Sequence, residues 1–260
     1  MEHFIVQNRN GCVNIVIDRQ EHRNAFTLAM WLDLIDIFKE IKSDKENRVV
    51  LLTGSGGESF SSGADISEMT GSRYSLAIEG RTAHPITEVA RLIEDLGVPV
   101  IAGINGYAIG GGCELAVACD LRVAVESAKL GITSAKVGIC ISVENIKRLV
   151  ALVGPAKAKD LLFTGRLITA REALAIGLVD YVLPKGELDS FTSELAERMI
   201  ANAPLSIKYT KETIKLISRI HDLEDIGDEF RFARKCFDSR DFKEGVKAFL
   251  EKRQPIFEGK

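Results

Sequence analysis

Cysteine and histidine are both sparse in this chain. Its 260 residues hold five cysteines, at 12, 113, 119, 140 and 236, with no C-x-x-C pair among them. An odd and scattered set offers neither a disulfide framework nor a zinc site, and it fits a reducing cytoplasm. Four histidines, none in H-x-x-x-H spacing, argue against a metal centre, and none is expected. Basic excess is missing too: 34 Lys and Arg face 37 Asp and Glu, a net charge of −3. A nucleic-acid binder would carry a basic patch or stripe, so nucleic acid is not an expected partner. The opening Met1-Glu2-His3-Phe4 has no basic segment ahead of an apolar one, which speaks against a signal peptide. No uninterrupted apolar run approaches the roughly 20 residues of a membrane helix, so no membrane association is expected. These absences leave a soluble, cytoplasmic chain as the expectation.

What is present is a sizeable core, with 46% hydrophobic residues, and an alternation of strand and helix signals. Asn10-Gly11 between the apolar runs 4–6 and 13–17 signals a hairpin. Thr27 caps a helix whose Leu28, Trp31, Ile35, Phe38 and Ile41 recur at helical spacing. Buried strands follow at 49–53, 98–102 and 121–125, and a helix at 86–96. From Pro155 the chain turns largely helical, over 156–164, 170–175, 188–202, 205–221 and 223–239, with a short strand at 178–183. Pattern alone gives a mostly parallel α/β fold with right-handed crossovers.

The chemistry is concentrated in 101–120. A β-branched strand runs into Gly110-Gly111-Gly112, which opens a small-residue helix carrying Glu114 in its first turn. A helix start leaves backbone N–H groups unpaired, and together with the dipole these favour an oxygen that develops negative charge. A carboxylate beside such a donor pocket suits enolate chemistry. The plainer reading is equally open on this stretch alone: glycine for tight packing, and a first-turn Glu that only complements the dipole. A second stretch, Phe60-Ser61-Ser62-Gly63-Ala64-Asp65-Ile66, tips the balance by supplying small residues where a backbone must approach a ligand.

Asn105-Gly106-Tyr107-Ala108-Ile109-Gly110-Gly111-Gly112-Cys113-Glu114-Leu115-Ala116, preceded by Ser61-Ser62-Gly63-Ala64-Asp65-Ile66, resembles the enoyl-CoA hydratase/isomerase (crotonase) superfamily. The likeness runs from Arg23-Asn24-Ala25-Phe26 to Phe249-Leu250-Glu251-Lys252-Arg253. It implies a spiral of β-β-α units over 1–200, with a helical C-terminal region, 201–260, that closes over the site and builds a homotrimer or homohexamer. It also implies an acyl-CoA substrate, with CoA as part of that substrate and no separate cofactor. The amides of Ala64 and Gly111 would hold the thioester oxygen. Ser62, Ala64, Asp65 and Ile66 would sit at the adenine end of CoA, with His22 and Arg23 near its pyrophosphate and adenine. Phe249 and Lys252 would close on it. For His22, Arg23 and Lys252 the alternative of a merely solvated side chain stays open.

The pattern breaks in two places. Hydratases of the family carry a second glutamate in a Phe-Gly-x-Pro-Glu run; here Leu130-Gly131-Ile132-Thr133-Ser134 puts Ser134 there. A hydroxyl orients water but is a poor proton store at pH 7. Where hydratases carry Pro-Gly-Ala-Gly-Gly, this chain has Ile141-Ser142-Val143-Glu144-Asn145. Glu144 either supplies the missing carboxylate or complements the dipole of a helix capped by Ser142, and capping is the simpler account. Three functions follow from the resemblance: hydratase-type water addition or elimination, double-bond isomerisation or decarboxylation with Glu114 as the single proton carrier, and a CoA-binding protein without turnover.

Overall fold

The computed structural model describes residues 2–69, 84–202, 204–217, 240–253 and 255. Strands β1 (Phe4–Arg9) and β2 (Cys12–Ile17) form the expected hairpin in register Arg9↔Cys12. Its turn residues Asn10 and Gly11 have φ of 53° and 81°, the left-handed pair that a two-residue type I′ turn requires. Helix α1 (Leu28–Ser43) starts where the Thr27 hydroxyl accepts from Met30 N at 3.1 Å. Trp31, Leu34, Ile35, Phe38 and Ile41 are buried on its inner face.

Three successive units then repeat one plan. The first is β3 (Val49–Gly54), β4 (Ser59–Ser61), a single turn α2 (Ile66–Met69) and α3 (Pro85–Asp95). The second is β5 (Val100–Ile104), β6 (Tyr107–Ile109) and α4 (Gly111–Ala118). The third is β7 (Leu121–Val125), β8 (Lys129–Gly131), a 3₁₀ turn (Ser134–Val137) and α5 (Val143–Thr164). The leading strand of each unit joins a six-stranded sheet, β1-β2-β3-β5-β7-β10, parallel from β2 onward. The trailing strand joins a four-stranded sheet, β4-β6-β8-β9, whose members are only two or three residues long. Strands β9 (Ile168–Thr169) and β10 (Tyr181–Leu183) complete them. This is the spiral of β-β-α units that the resemblance implies. All five residues of β5 are buried, which is why it reads as an unbroken apolar run.

In α5, Gly154 (φ 73°) followed by Pro155 interrupts the helical backbone, which separates 156–164 from the segment capped by Ser142. Helices α6 (Ala170–Ala175), α7 (Leu188–Ile200) and α8 (Pro204–Ile217) follow. The expected helix at 205–221 is described as far as Ile217. The expected helix at 223–239, Cys236 and the segment 70–83 lie outside the described residues. Helix α9 (Arg240–Leu250) packs Phe242 and Val246 against Leu28, Ala64, Ile66 and Ile139. A methyl group added at Gly245 would stand 2.6 Å from the Val137 Cα, so glycine sets how closely α9 approaches the 3₁₀ turn. The C-terminal helix therefore lies over the 62–66 loop of its own chain. Among the described residues, no helix is long and apolar enough to cross a membrane.

Candidate active site

Two backbone amides converge where β4 and β6 deliver their following loops. Phe26 N donates to Gly63 O at 2.7 Å and Phe26 O accepts from Asp65 N at 2.8 Å. That bridge uses the groups on either side of Ala64 and turns the Ala64 N–H away from Phe26. Gly111 opens α4, where its N–H has no intrahelical partner. A methyl group at Gly111 would stand 3.6 Å from Ala64 N, and one at Gly63 would stand 2.9 Å from Gly111 N. The two amides thus share one spot, and Gly63 must stay bare to let them meet. Its φ of 93° adds a second reason for glycine. Gly112 is constrained as tightly, since a methyl there would lie 2.3 Å from Ser61 O.

The loop that carries Ala64 is held by a residue that sequence reading passed over. Asn24 is fully buried; its amide donates to Ser59 O at 2.7 Å and Ser55 O at 3.1 Å, and its Oδ1 accepts from Arg19 N at 3.0 Å. Ser61 Oγ donates to Asn24 O at 2.8 Å and in turn accepts from Gly63 N at 3.1 Å. One buried amide therefore ties the polar 18–24 loop to the 59–63 segment. The signal available in sequence was only an Asn before Ala25-Phe26, and Asn is common in loops for local reasons.

Glu114 lies one helical turn beyond Gly111 and is 8% exposed. Burial pushes its carboxyl up, while the Asn145 hydrogen bond and the Arg148 charge pull it back, leaving the pKa at about 7. A carboxyl poised there can take up and return a proton near neutral pH. Asn145 Nδ2 donates to Glu114 Oε2 at 2.5 Å. Asn145 Oδ1 accepts from Arg148 Nη1 at 2.7 Å, and Arg148 forks onto both oxygens of Glu94 at 2.7 and 2.8 Å. Three helices, α3, α4 and α5, contribute to this chain of contacts. Glu94 and Arg148 gave no sequence signal, and Asn145 was visible only as a bulky residue in a run that is glycine-rich in hydratases.

The remaining candidates fall in several places. Ser134 begins the 3₁₀ turn and is half-buried, and its backbone oxygen accepts from Ile139 N. Glu144 occupies the first turn of α5 behind Ser142, whose hydroxyl accepts from Asn145 N at 3.2 Å. Its carboxylate pairs with Arg91 of α3, while the neighbouring Asn145 is the one that reaches Glu114. His22 and Arg23 are exposed, and their backbone oxygens take Ser62 Oγ at 3.4 Å and Ser62 N at 3.1 Å. Arg23 also borders an open cleft of about 400 Å³ together with Glu21 and Glu58, a wall of mixed charge. Asp65 is committed to Arg19 at 2.8 Å and to Ser67. Burial works against its ionised form, but the Ser67 and Arg19 hydrogen bonds outweigh it and hold the carboxyl below its usual range. Ile66 packs under α9 with Ala64. Phe249 is exposed at the end of that helix, and Lys252 just past it has φ of 54°. His84 caps α3 through Nδ1, accepting from Ile86 N at 3.3 Å. Burial pushes it down to about 4, so the neutral ring serves as that acceptor. Among the described residues no cluster of His, Cys, Asp and Glu could hold a metal ion.

The family model described as enoyl-CoA hydratase/isomerase matches residues 7–260. A short-chain-enoyl-CoA hydratase of Clostridium acetobutylicum is 37% identical over 252 residues, 96% of this chain and 95% of the relative. A crotonyl-CoA hydratase of Syntrophomonas wolfei is 36% identical and covered to 98% on both sides. Among solved structures, a methylmalonyl-CoA decarboxylase in complex with 2-nitronate-propionyl-CoA superposes with a TM-score of 0.88. It is 30% identical and covers 99% of both chains. An enoyl-CoA hydratase from Mycobacterium avium subsp. paratuberculosis gives a TM-score of 0.85 at 27% identity, with 98% of each chain covered.

Proposed function

The chain belongs to the enoyl-CoA hydratase/isomerase family, and on that premise we propose that it adds water to, or removes water from, an enoyl-CoA with Glu114 as its only proton-carrying carboxylate. The observation that carries this reading is the state of Glu114: buried, near pKa 7, and one turn from the two converging amides. In hydration the Ala64 and Gly111 amides hold the thioester oxygen. Glu114 takes a proton from water, the hydroxide oxygen bonds to C3, and the displaced electron pair passes to the thioester oxygen as an enolate. The enolate then collapses as Glu114 returns the proton to C2. One carboxylate suffices because it is restored within the cycle. Each oxyanion donor is worth about 10²–10³ in rate, so the retained pair argues against a protein that binds CoA without turnover.

CoA itself is read as lying along 62–66, with His22, Arg23, Phe249 and Lys252 at its edges. Asp65 contributes there through its backbone, since Arg19 and Ser67 occupy its carboxylate. The core 1–200 and the closing region 201–260 are read as one assembly unit of a homotrimer or homohexamer.

A second reading, decarboxylation, is favoured by the likeness to methylmalonyl-CoA decarboxylase and by the absence of a carboxylate at Ser134. There carbon dioxide leaves C2, its bonding pair forms the same enolate, and Glu114 supplies the proton. Simple isomerisation ranks behind it, because single-function isomerases of the family keep the carboxylate that Ser134 replaces. Crotonyl-CoA hydration and methylmalonyl-CoA decarboxylation, assayed side by side, test the proposal. Faster turnover of crotonyl-CoA supports it; turnover of methylmalonyl-CoA alone replaces hydration with decarboxylation.

A further inference from the structure

Asn145 is 3% exposed and sits one turn before Arg148 on the same face of α5. An amide has one end that accepts and one that donates, and its surroundings decide which end goes where. Arg148 has only donors, and its Nη1 lies 2.7 Å from Asn145 Oδ1. Arg148 cannot turn away without leaving its fork on Glu94. The amide is thereby fixed with Nδ2 toward Glu114 Oε2, at 2.5 Å. An oxygen that accepts from that N–H is a poor place for a proton, so the proton Glu114 carries must ride on Oε1.

We propose that Asn145, clamped by Arg148 and Glu94, is the positioning residue that aims Glu114, filling Oε2 and leaving Oε1 as the one oxygen that takes up and returns the proton. The inference rests on the reading of Glu114 as proton carrier. It goes beyond that reading by naming the residue that gives a single carboxylate one working oxygen. An enzyme with two carboxylates divides the tasks between them. A chain with Ser134 in the second position gains more from holding its remaining carboxylate in one orientation.

Among the described residues, the groups around Glu114 are few. From α5 come Asn145 and Arg148, with Glu144 turned to Arg91. From α3 come Glu94, held by Arg148, and Arg91. On α4 itself Cys113 is a neutral thiol, pushed up to about 12 first by burial and then by Glu114. The strands Ser59–Ser61 and Tyr107–Ile109 bring no ionisable group except the exposed Tyr107. Removing the Asn145 donor therefore removes one of the two influences, among the described residues, that favour the ionised carboxylate.

The test is an isotope-edited infrared titration of the Glu114 carboxyl in the full-length protein, its band identified by loss in Glu114→Gln. In Asn145→Leu the midpoint is expected to rise by about one pH unit, the weight of one hydrogen bond to a charged group. Asn145→Ala gives the same readout with less crowding should the leucine variant not fold. Steady-state hydration of crotonyl-CoA provides the second readout. The acidic limb of kcat should move with the carboxyl midpoint, and kcat should fall about tenfold or more with KM within about twofold. An unchanged or lowered midpoint in both variants overturns the inference. Full turnover in Glu114→Gln would instead overturn the functional reading, and the titration would still decide what Asn145 does to the carboxyl.

Discussion

Replacing Glu114 with glutamine removes a buried acid whose ionisation the fold opposes, and the consequence is a change in how stability follows pH. Burial lifts this carboxyl from 4.5 to about 7, with Asn145 and Arg148 only partly offsetting it. A group whose pKa is raised on folding stabilises the fold below its unfolded pKa, and that contribution is lost as pH climbs through the folded value. The window is therefore about pH 4.5 to 7. The loss across it amounts to about 3 kcal/mol, at 1.36 kcal/mol for each pH unit. Glutamine does not titrate, and its side-chain oxygen can still accept from Asn145. The assay is urea unfolding of both proteins at pH 4, 5, 6, 7 and 8, compared as the difference between them. His84, pushed down to about 4 by burial, weakens the fold as pH falls from 6.5 toward 4. It is present in both proteins and cancels in the difference. The variant should gain on the parent by about 3 kcal/mol between pH 4 and 8, whatever fixed cost the amide carries. Parallel curves would refute the reasoning, because Glu114 would then ionise as easily folded as unfolded.

Gly63→Ala places a methyl 2.6 Å from Ile109 O and 2.9 Å from Gly111 N at a φ of 93°. It should cost about 1–3 kcal/mol of stability, and turnover should fall about 10²–10³ as the oxyanion pair separates, read by melting and by steady-state rate. CoA thioesters should bind and the corresponding free acids should not; calorimetry giving equal affinities for a free acid and its thioester contradicts the placing of CoA along 62–66. Sedimentation should show a trimer or hexamer, and a stable, active monomer would remove the role assigned to the helical C-terminal region.

The elements that declared themselves in sequence are those whose burial pattern is one-sided or complete. The Asn10-Gly11 hairpin, the α1 stripe and the fully buried β5 each follow from local periodicity or turn chemistry. The four-stranded sheet did not declare itself, because strands such as Lys129–Gly131 are too short to show an alternation. The close approach of the Ala64 and Gly111 backbones was legible as small residues at 62–64 and 110–112, since close backbone approach dictates residue size. Asn24 and Asn145 were not, because their meaning lies in partners far along the chain: Ser59 for one, Glu114 and Glu94 by way of Arg148 for the other. Glu144 shows the same limit from the other side. Its capping position was readable from Ser142, while its Arg91 partner on α3 was not.

On the proposed mechanism one carboxylate, Glu114, carries the proton. Its most direct test is the rate of crotonyl-CoA hydration, together with C2 deuterium exchange, in Glu114→Gln, Glu144→Gln and Ser134→Glu beside the parent. Glu114→Gln should lose about 10²–10⁴ in rate with thioester binding nearly unchanged. Glu144→Gln should stay within a few-fold of the parent, since that carboxylate faces Arg91. Ser134→Glu should raise hydration by restoring a second carboxylate. A fall in Glu144→Gln as deep as that in Glu114→Gln would contradict the single-carboxylate mechanism and place the missing catalytic role on Glu144.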